Sequence, residues 1–403
     1  MARSLLRFGT LSVVGLLLLG LLAPPASATH AAFTLQTSVE RVLYGDGARL
    51  SGALTASTDG SPLPNQNVDI LDDTDAVVGS DVTDASGAFS LRVSPGRNTS
   101  FRARWVDPAI PDDPITSEPV TVLVRPRLSV DLSRVRLFDR ARASGRLRPA
   151  HPGSQVTVEL FRGERVAATG VATVRDDGTF LTRFYLRLPG TYRARVTFAA
   201  DADHTGARDR SAYRTTPLPS LAQGSSSPFV RLLEQRLLDL RYRVPNPDYG
   251  FDFRTGDAVL AFNKVQGRAR LRSVDASTWR ALARPRRPRA RNDAPGRHIE
   301  VDKTRQVLLV VNDGRVRWIV HVSTGLYEGW TRDGVFRVFR KVAGYSPNRL
   351  YYPSYFDGGR AVHGWPEVPA YPASHGCVRV PNWTAVWLHQ LMPLGTVVRV
   401  YRS

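Results

Sequence analysis

One cysteine, Cys377, and two methionines stand among 403 residues. A single thiol can form neither an intramolecular disulfide nor a multi-thiolate metal site, so no disulfide framework or zinc finger holds this chain together. Lysine is nearly as scarce: Lys264, Lys303 and Lys341 face 52 arginines, a bias that base composition produces without any nucleic-acid partner. Acidic residues are too few to balance them, and the formal charge is +19 at pH 7. No apolar run reaches the roughly 20 residues needed to span a bilayer. What remains, 42% hydrophobic and 23% charged residues of both signs, is the composition of folded material. The length suits two to four domains.

Residues 1–28 carry Arg3 and Arg7, an apolar run from Leu11 to Leu22, and small residues ending Ala26-Ser27-Ala28. This is the pattern of a secretory signal peptide, with cleavage expected after Ala28 or at the later sites Ala31 and Ala32. The expectation is an exported, extracytoplasmic protein of the cell envelope with no membrane span after cleavage. No cysteine follows the small residues, which excludes a lipid-attached lipoprotein.

Residues 33–127 alternate apolar and polar positions between turn residues, as antiparallel sandwich strands do, and residues 128–218 repeat the pattern. Ser51-Gly52 corresponds to Ser144-Gly145, Phe89 to Phe180, and Phe101-Arg-Ala-Arg104 to Tyr192-Arg-Ala-Arg195. A period near 90 residues predicts two tandem Ig-like sandwiches. Phe89, Phe101, Phe180 and Tyr192 read as core positions of alternating strands or, against that, as a carbohydrate-stacking face.

Over 219–283 the period becomes helical. Ser225-Ser-Ser-Pro228 starts one helix through Val230, Leu233, Leu237 and Leu240; Thr255 is a candidate cap for a second, and Asp275 or Ser277 for a third. Gly224, Leu237-x-x-Leu240, Tyr242, Tyr249-Gly250, Ala258-Val259, Phe262 and Trp279-x-x-Leu282 give this stretch a resemblance to the small peptidoglycan-binding domain of cell-wall enzymes. A three-helix spacer that binds nothing is the other reading. Residues 284–297, which include Arg284-Pro-Arg-Arg-Pro-Arg-Ala-Arg291, read as a charged, extended linker, either solvated or held electrostatically by anionic wall polymers.

The segment 298–403 carries the chemistry. Strand patterns run through Ile299–Asp302, Val307–Val311, Trp318–Val322 and Val335–Phe339, and after a loop rich in Tyr, Pro and Gly the chain reaches Ala361-Val-His363-Gly364 and Ser374-His375-Gly376-Cys377-Val-Arg379. A helix is expected around Ala385–Leu391 and a strand over Thr396–Tyr401. A nucleophilic thiol needs a base or a positively polarised setting. His363 and His375 stand fourteen and two positions before Cys377. Gly376 lets backbone approach a substrate carbonyl closely. Two other readings stay open here, a buried hydrophobic cysteine with loop histidines and a zinc site of His363, His375 and Cys377.

His363-Gly364 followed by Ser374-His-Gly-Cys-Val-Arg379, with Ser323-Thr-Gly325, Gly334-x-Phe336, Asn382 and Trp387-Leu388 around them, resembles the signature of the L,D-transpeptidase (YkuD-type) family of peptidoglycan cross-linking enzymes. Thr331-Arg-Asp-Gly334 and Trp383-Thr384 depart from the family pattern. The resemblance implies a multidomain, mainly β chain that ends in a β-rich catalytic domain with Cys377 as nucleophile and His363 as general acid and base. It further implies that the Gly364 carbonyl orients the imidazole, that Gly376 and Cys377 amides with His375 nearby form the oxyanion side, and that Arg379, Ser374, Asn382 and Tyr352 contact substrate. Tyr351, Tyr352 and Tyr355 fall where a lid is expected. The implied partners are peptidoglycan stem peptides and covalently bound carbapenems, with no metal or organic cofactor. Nucleic acid is not among the expected partners.

Overall fold

The computed structural model describes residues 30–403. The signal-peptide expectation over 1–28 lies outside the described residues. Among those described, no helix is long and apolar enough to cross a membrane.

The chain divides into two compact units. The first holds residues 30–126 together with Ala200–Gly206. In it a three-stranded sheet (Ala31–Thr37, Ala48–Ala56, Ala88–Val93) shares a core with a sheet built around Thr99–Trp105, and Leu50, Leu54, Val68, Ile70, Phe101 and Val122 fill the space between. Alternation explains this: Thr99–Trp105 buries every second residue, the period-two signature of a strand with one face in a core.

The second unit holds residues 127–199 and 207–403. Its first part again sets a three-stranded sheet (Arg127–Leu132, Arg140–Arg148, Thr179–Tyr185) against a larger one centred on Gln155–Arg162 and Thr191–Phe198. The repeat has a steric cause at Gly52 and Gly145. A Cβ at either would stand 1.9 Å from the neighbouring strand's carbonyl oxygen, Thr34 O or Ser129 O, and within 2.7 Å of the ring of Phe89 or Phe180. Phe89, Phe101, Phe180 and Tyr192 are all buried, so none offers a face for stacking sugars.

Three helices follow, α1 (Pro228–Asp239), α2 (Phe253–Gln266) and α3 (Ala276–Ala283). Asp275 caps α3 in a capping box with Thr278. Asp252, three residues before the expected Thr255, caps α2 by accepting from the Arg254 and Thr255 amides at 2.8 and 2.9 Å. Thr255 instead is buried inside the first turn and donates its hydroxyl to Glu234. The helices do not close a core among themselves. Val230, Leu237, Phe262 and Trp279 share one cluster with Phe138 on one side and with Val307, Leu309, Val311 and Ile319 of the C-terminal sheet on the other.

That sheet has the strand order Arg315–His321, Val307–Asn312, Arg297–Asp302, Val397–Tyr401, Gly334–Arg337. Val307–Asn312 is an unbroken apolar run because both faces are covered: Val307, Leu309 and Val311 meet the helices, while Leu308 and Val310 meet a second sheet. The second sheet runs Arg340–Lys341, Tyr351–Asp357, Arg360–Trp365, Val378–Pro381 and is backed by α4 (Asn382–Leu391) through Ala385 and Leu388. Its last two strands are parallel, pairing Val362 with Val378, His363 with Arg379 and Gly364 with Val380.

Candidate active site

The parallel pairing brings together segments that are distant in sequence. With Val362 opposite Val378, Cys377 enters its strand level with Ala361, and His363 lies across from Arg379. The interior of the His363 strand is buried, and His363 itself is 2% exposed. Its Nδ1 lies 2.8 Å from the Gly364 carbonyl oxygen. Because a carbonyl only accepts, the proton sits on Nδ1 and the lone pair on Nε2. Burial pushes the imidazole pKa down to about 4, the Arg379 charge adds to the shift, and the Gly364 carbonyl opposes it. At neutral pH His363 is therefore an uncharged base.

Cys377 is half-buried. Its Sγ lies 3.9 Å from Gly359 O. Burial raises the thiol pKa, while the Ala361 N–H and the charges of Arg379 and Arg360 pull it down. At neutral pH the thiol and the imidazole are thus both uncharged.

The turn before the thiol is held from three sides. Ser374 takes its register from Thr324, whose carbonyl accepts the Ser374 N–H at 2.9 Å. The Ser374 hydroxyl donates to Cys377 O at 2.6 Å and accepts the Gly376 N–H at 3.0 Å. Thr331 Oγ1 donates to Gly376 O at 2.8 Å and accepts the Gly325 N–H at 2.8 Å. Gly376 has φ +124°, and a Cβ there would stand 2.6 Å from Trp330 O, so both conformation and space demand glycine.

Several sequence expectations change. The Gly376 amide is engaged by Ser374 Oγ and is not a free oxyanion donor. Ser374, 1% exposed, shapes the turn and does not face a substrate. Asn382 Oδ1 is closed off from solvent, and a Cβ on Gly364 would approach it to 2.6 Å, so Asn382 packs behind the His363 strand. All three tyrosines lie on the strand Tyr351–Asp357: Tyr351 and Tyr352 stay half-buried, Tyr352 with its ring against Tyr351 and His389, whereas Tyr355, 3% exposed beneath Arg340, belongs to the core and not to a lid. His363, His375 and Cys377 do not gather into one ligand set among the described residues.

Arg379 stays beside the pair. Its guanidinium lies 4.4 Å from the Trp365 ring centre and donates once to Ala373 O at 3.0 Å, which leaves further N–H donors of the fork unused. Trp365 also meets His363 edge to face at 5.8 Å. His375 is exposed and stacks on Trp330, 5.3 Å away and 20° from parallel. Sequence reasoning had not singled out Trp330, Trp365 or Arg360. For Trp365 the signal was present, since it stands two positions after His363 and strand period two places both on one face. Arg360 donates to Trp330 O and pairs with Asp357, which also holds Arg332. No local pattern reveals that network.

Residues 296–400 match the model of the L,D-transpeptidase catalytic domain (YkuD). Similar solved structures include an L,D-transpeptidase fragment from Xylanimonas cellulosilytica, 38% identical over 46% of this chain and 99% of that one, with a TM-score of 0.44. An L,D-transpeptidase from Stackebrandtia nassauensis is 24% identical over 46% of this chain and 97% of that one, with a TM-score of 0.31. Comparison with curated proteins gives no match. Residues 296–400 are thus an L,D-transpeptidase (YkuD) catalytic domain.

Proposed function

We propose that this is an exported cysteine L,D-transpeptidase acting on peptidoglycan tetrapeptide stems. The observation that carries the reading is the buried, neutral His363, its Nδ1–H committed to Gly364 O and its Nε2 free, paired in register with the strand that Cys377 opens.

Cys377 Sγ attacks the carbonyl that joins the third stem residue to the D-Ala at position four. As the S–C bond forms, the thiol proton moves to His363 Nε2, and the carbonyl oxygen takes negative charge. Of the two amides expected to bind that oxyanion, Cys377 N–H remains the candidate donor, since Gly376 N–H is occupied. Collapse breaks the C–N bond; D-Ala leaves with the proton from His363, and a thioester remains. An amine of a second stem then attacks the thioester, loses its proton to His363 and expels the Cys377 sulfur, which is reprotonated. The product is a 3→3 cross-link. The unused donors of Arg379 suit a stem carboxylate. His375, stacked on Trp330, is exposed two residues before the thiol.

The test is mass spectrometry after incubation with a carbapenem. A covalent adduct on the Cys377 peptide is expected, and an unmodified thiol in folded protein would sink the reading. A defined tetrapeptide disaccharide then separates the outcomes: cross-linked dimers identify a transpeptidase, tripeptides alone an L,D-carboxypeptidase, and transfer to a protein lysine a wall-attachment enzyme. Binding to sacculi without turnover would mark a silent stalk.

A further inference from the structure

The Arg/Pro segment after α3 is not a free tether. Gln266, at the end of α2, pins it through both backbone groups of Arg286: the Arg286 N–H donates to Gln266 Oε1 at 2.8 Å and Gln266 Nε2 donates to Arg286 O at 2.8 Å. The segment closes one wall of a cavity of about 590 Å³ whose other walls come from the end of α2, the turn at Asp302–Arg305 and the end of the last strand. That volume falls inside the roughly 300–1,000 Å³ of small-ligand sites.

Six arginines line it: Arg268, Arg270, Arg286, Arg287, Arg289 and Arg305. Asp302 is the one acidic side chain in the lining, and it is paired with Arg305 at 2.7 Å. Arg268 lies 3.6 Å from Asp275. Arg270 is held only by the carbonyls of Ala370 and Thr304, and the side chains of Arg286, Arg287 and Arg289 meet no carboxylate among the described residues. Arg270, Arg286, Arg287 and Arg289 therefore line one cavity with no carboxylate paired to them among the described residues, a positive patch that attracts anions. Each fork offers bidentate donors suited to phosphate oxygens, and an extended segment spaces them for a chain of charges. Tyr401, the cavity's one aromatic side chain, has Arg291 over its ring at 4.7 Å, which leaves little face on which a nucleobase could stack.

We propose that this cavity binds a chain of phosphodiesters without bases, a polyol phosphate, and so tethers the protein to an anionic polymer separately from the Cys377 site. The inference does not rest on the acyl-transfer reading, and the melting temperature serves as the control for folding.

The experiment titrates the full chain by calorimetry with a synthetic glycerol-phosphate oligomer at several salt concentrations, beside a polyglutamate and a single-stranded oligonucleotide of matched charge. The variant R286Q/R287Q/R289Q should lose at least tenfold in affinity for the glycerol-phosphate oligomer, flatten the salt slope by about two to three, and melt as the unaltered protein does. The control R140Q/R142Q/R183Q removes three exposed arginines from the sandwich sheet and should bind as the unaltered protein does. Equal loss in both variants would mean diffuse charge attraction and overturn the site. Polyglutamate or the oligonucleotide binding as tightly as the phosphate oligomer would overturn the ligand class.

Discussion

Thr331 Oγ1 donates to the carbonyl of Gly376 at 2.8 Å, tying the loop at Trp330–Thr331 to the turn that presents the thiol. Thr331 is 2% exposed and has a second partner in the Gly325 N–H. Replacement by Val keeps the shape and leaves the half-buried Gly325 N–H and the buried Gly376 carbonyl unmet, which costs about 1–3 kcal/mol. The T331V protein should lose roughly that in urea unfolding and acylate tenfold or more slowly, whereas T331S should recover both. Unchanged acylation in T331V would remove the loop from control of the thiol.

The buried His363 sets the pH response. With the folded pKa near 4, the rate of Cys377 acylation should stay flat from about pH 5.5 to 8 and fall about tenfold per unit below 4. A limb near the ordinary histidine value would contradict a neutral, desolvated base.

The same shift enters stability. As pH falls below 6.5, the unfolded chain takes up a proton that folded His363 refuses, so stability held above 6.5 declines toward pH 4, by about 3 kcal/mol for this group. His321, also pushed down by burial, acts in the same direction. The melting temperature should drop over that window and drop less in H363Q, which at pH 7 should also fail to acylate.

Gly364 sits where no side chain fits. A Cβ would stand 2.6 Å from Asn382 Oδ1 and 2.8 Å from both Ala385 Cβ and Tyr351 Cδ1. G364A should cost about 1–3 kcal/mol by overpacking, and because it shifts the carbonyl that holds His363, acylation should fall more than stability alone explains. Melting and acylation measured on one preparation check both.

Lys264 joins α2 to the catalytic sheet. Its buried Nζ donates to Gln306 O at 3.0 Å and Val322 O at 2.9 Å and lies 2.6 Å from His321 Nδ1. K264M strands those acceptors and should destabilise the second unit by about 2–4 kcal/mol in urea unfolding monitored by tryptophan fluorescence. A loss under 0.5 kcal/mol would mean the helices and the sheet are held by apolar packing alone.

Much of this was legible in one dimension because it depends on residue type and short spacing. The mainly β character follows from period-two alternation, and the repeated Gly52–Phe89 and Gly145–Phe180 pairs mark where a glycine lets a ring lie over a strand. The lone Cys377 with His363-Gly364 and Ser374-His-Gly named the family, since a thiol, a base and a close-approach glycine are a chemical set. Tertiary structure decided the rest. Which hydroxyl takes the Gly376 amide, which tryptophan lies under Arg379, whether Asn382 Oδ1 meets solvent, and whether the arginine segment is loose or pinned by Gln266 all depend on strand register and on helices packing against a sheet. Those contacts join residues tens of positions apart, and no local period encodes them.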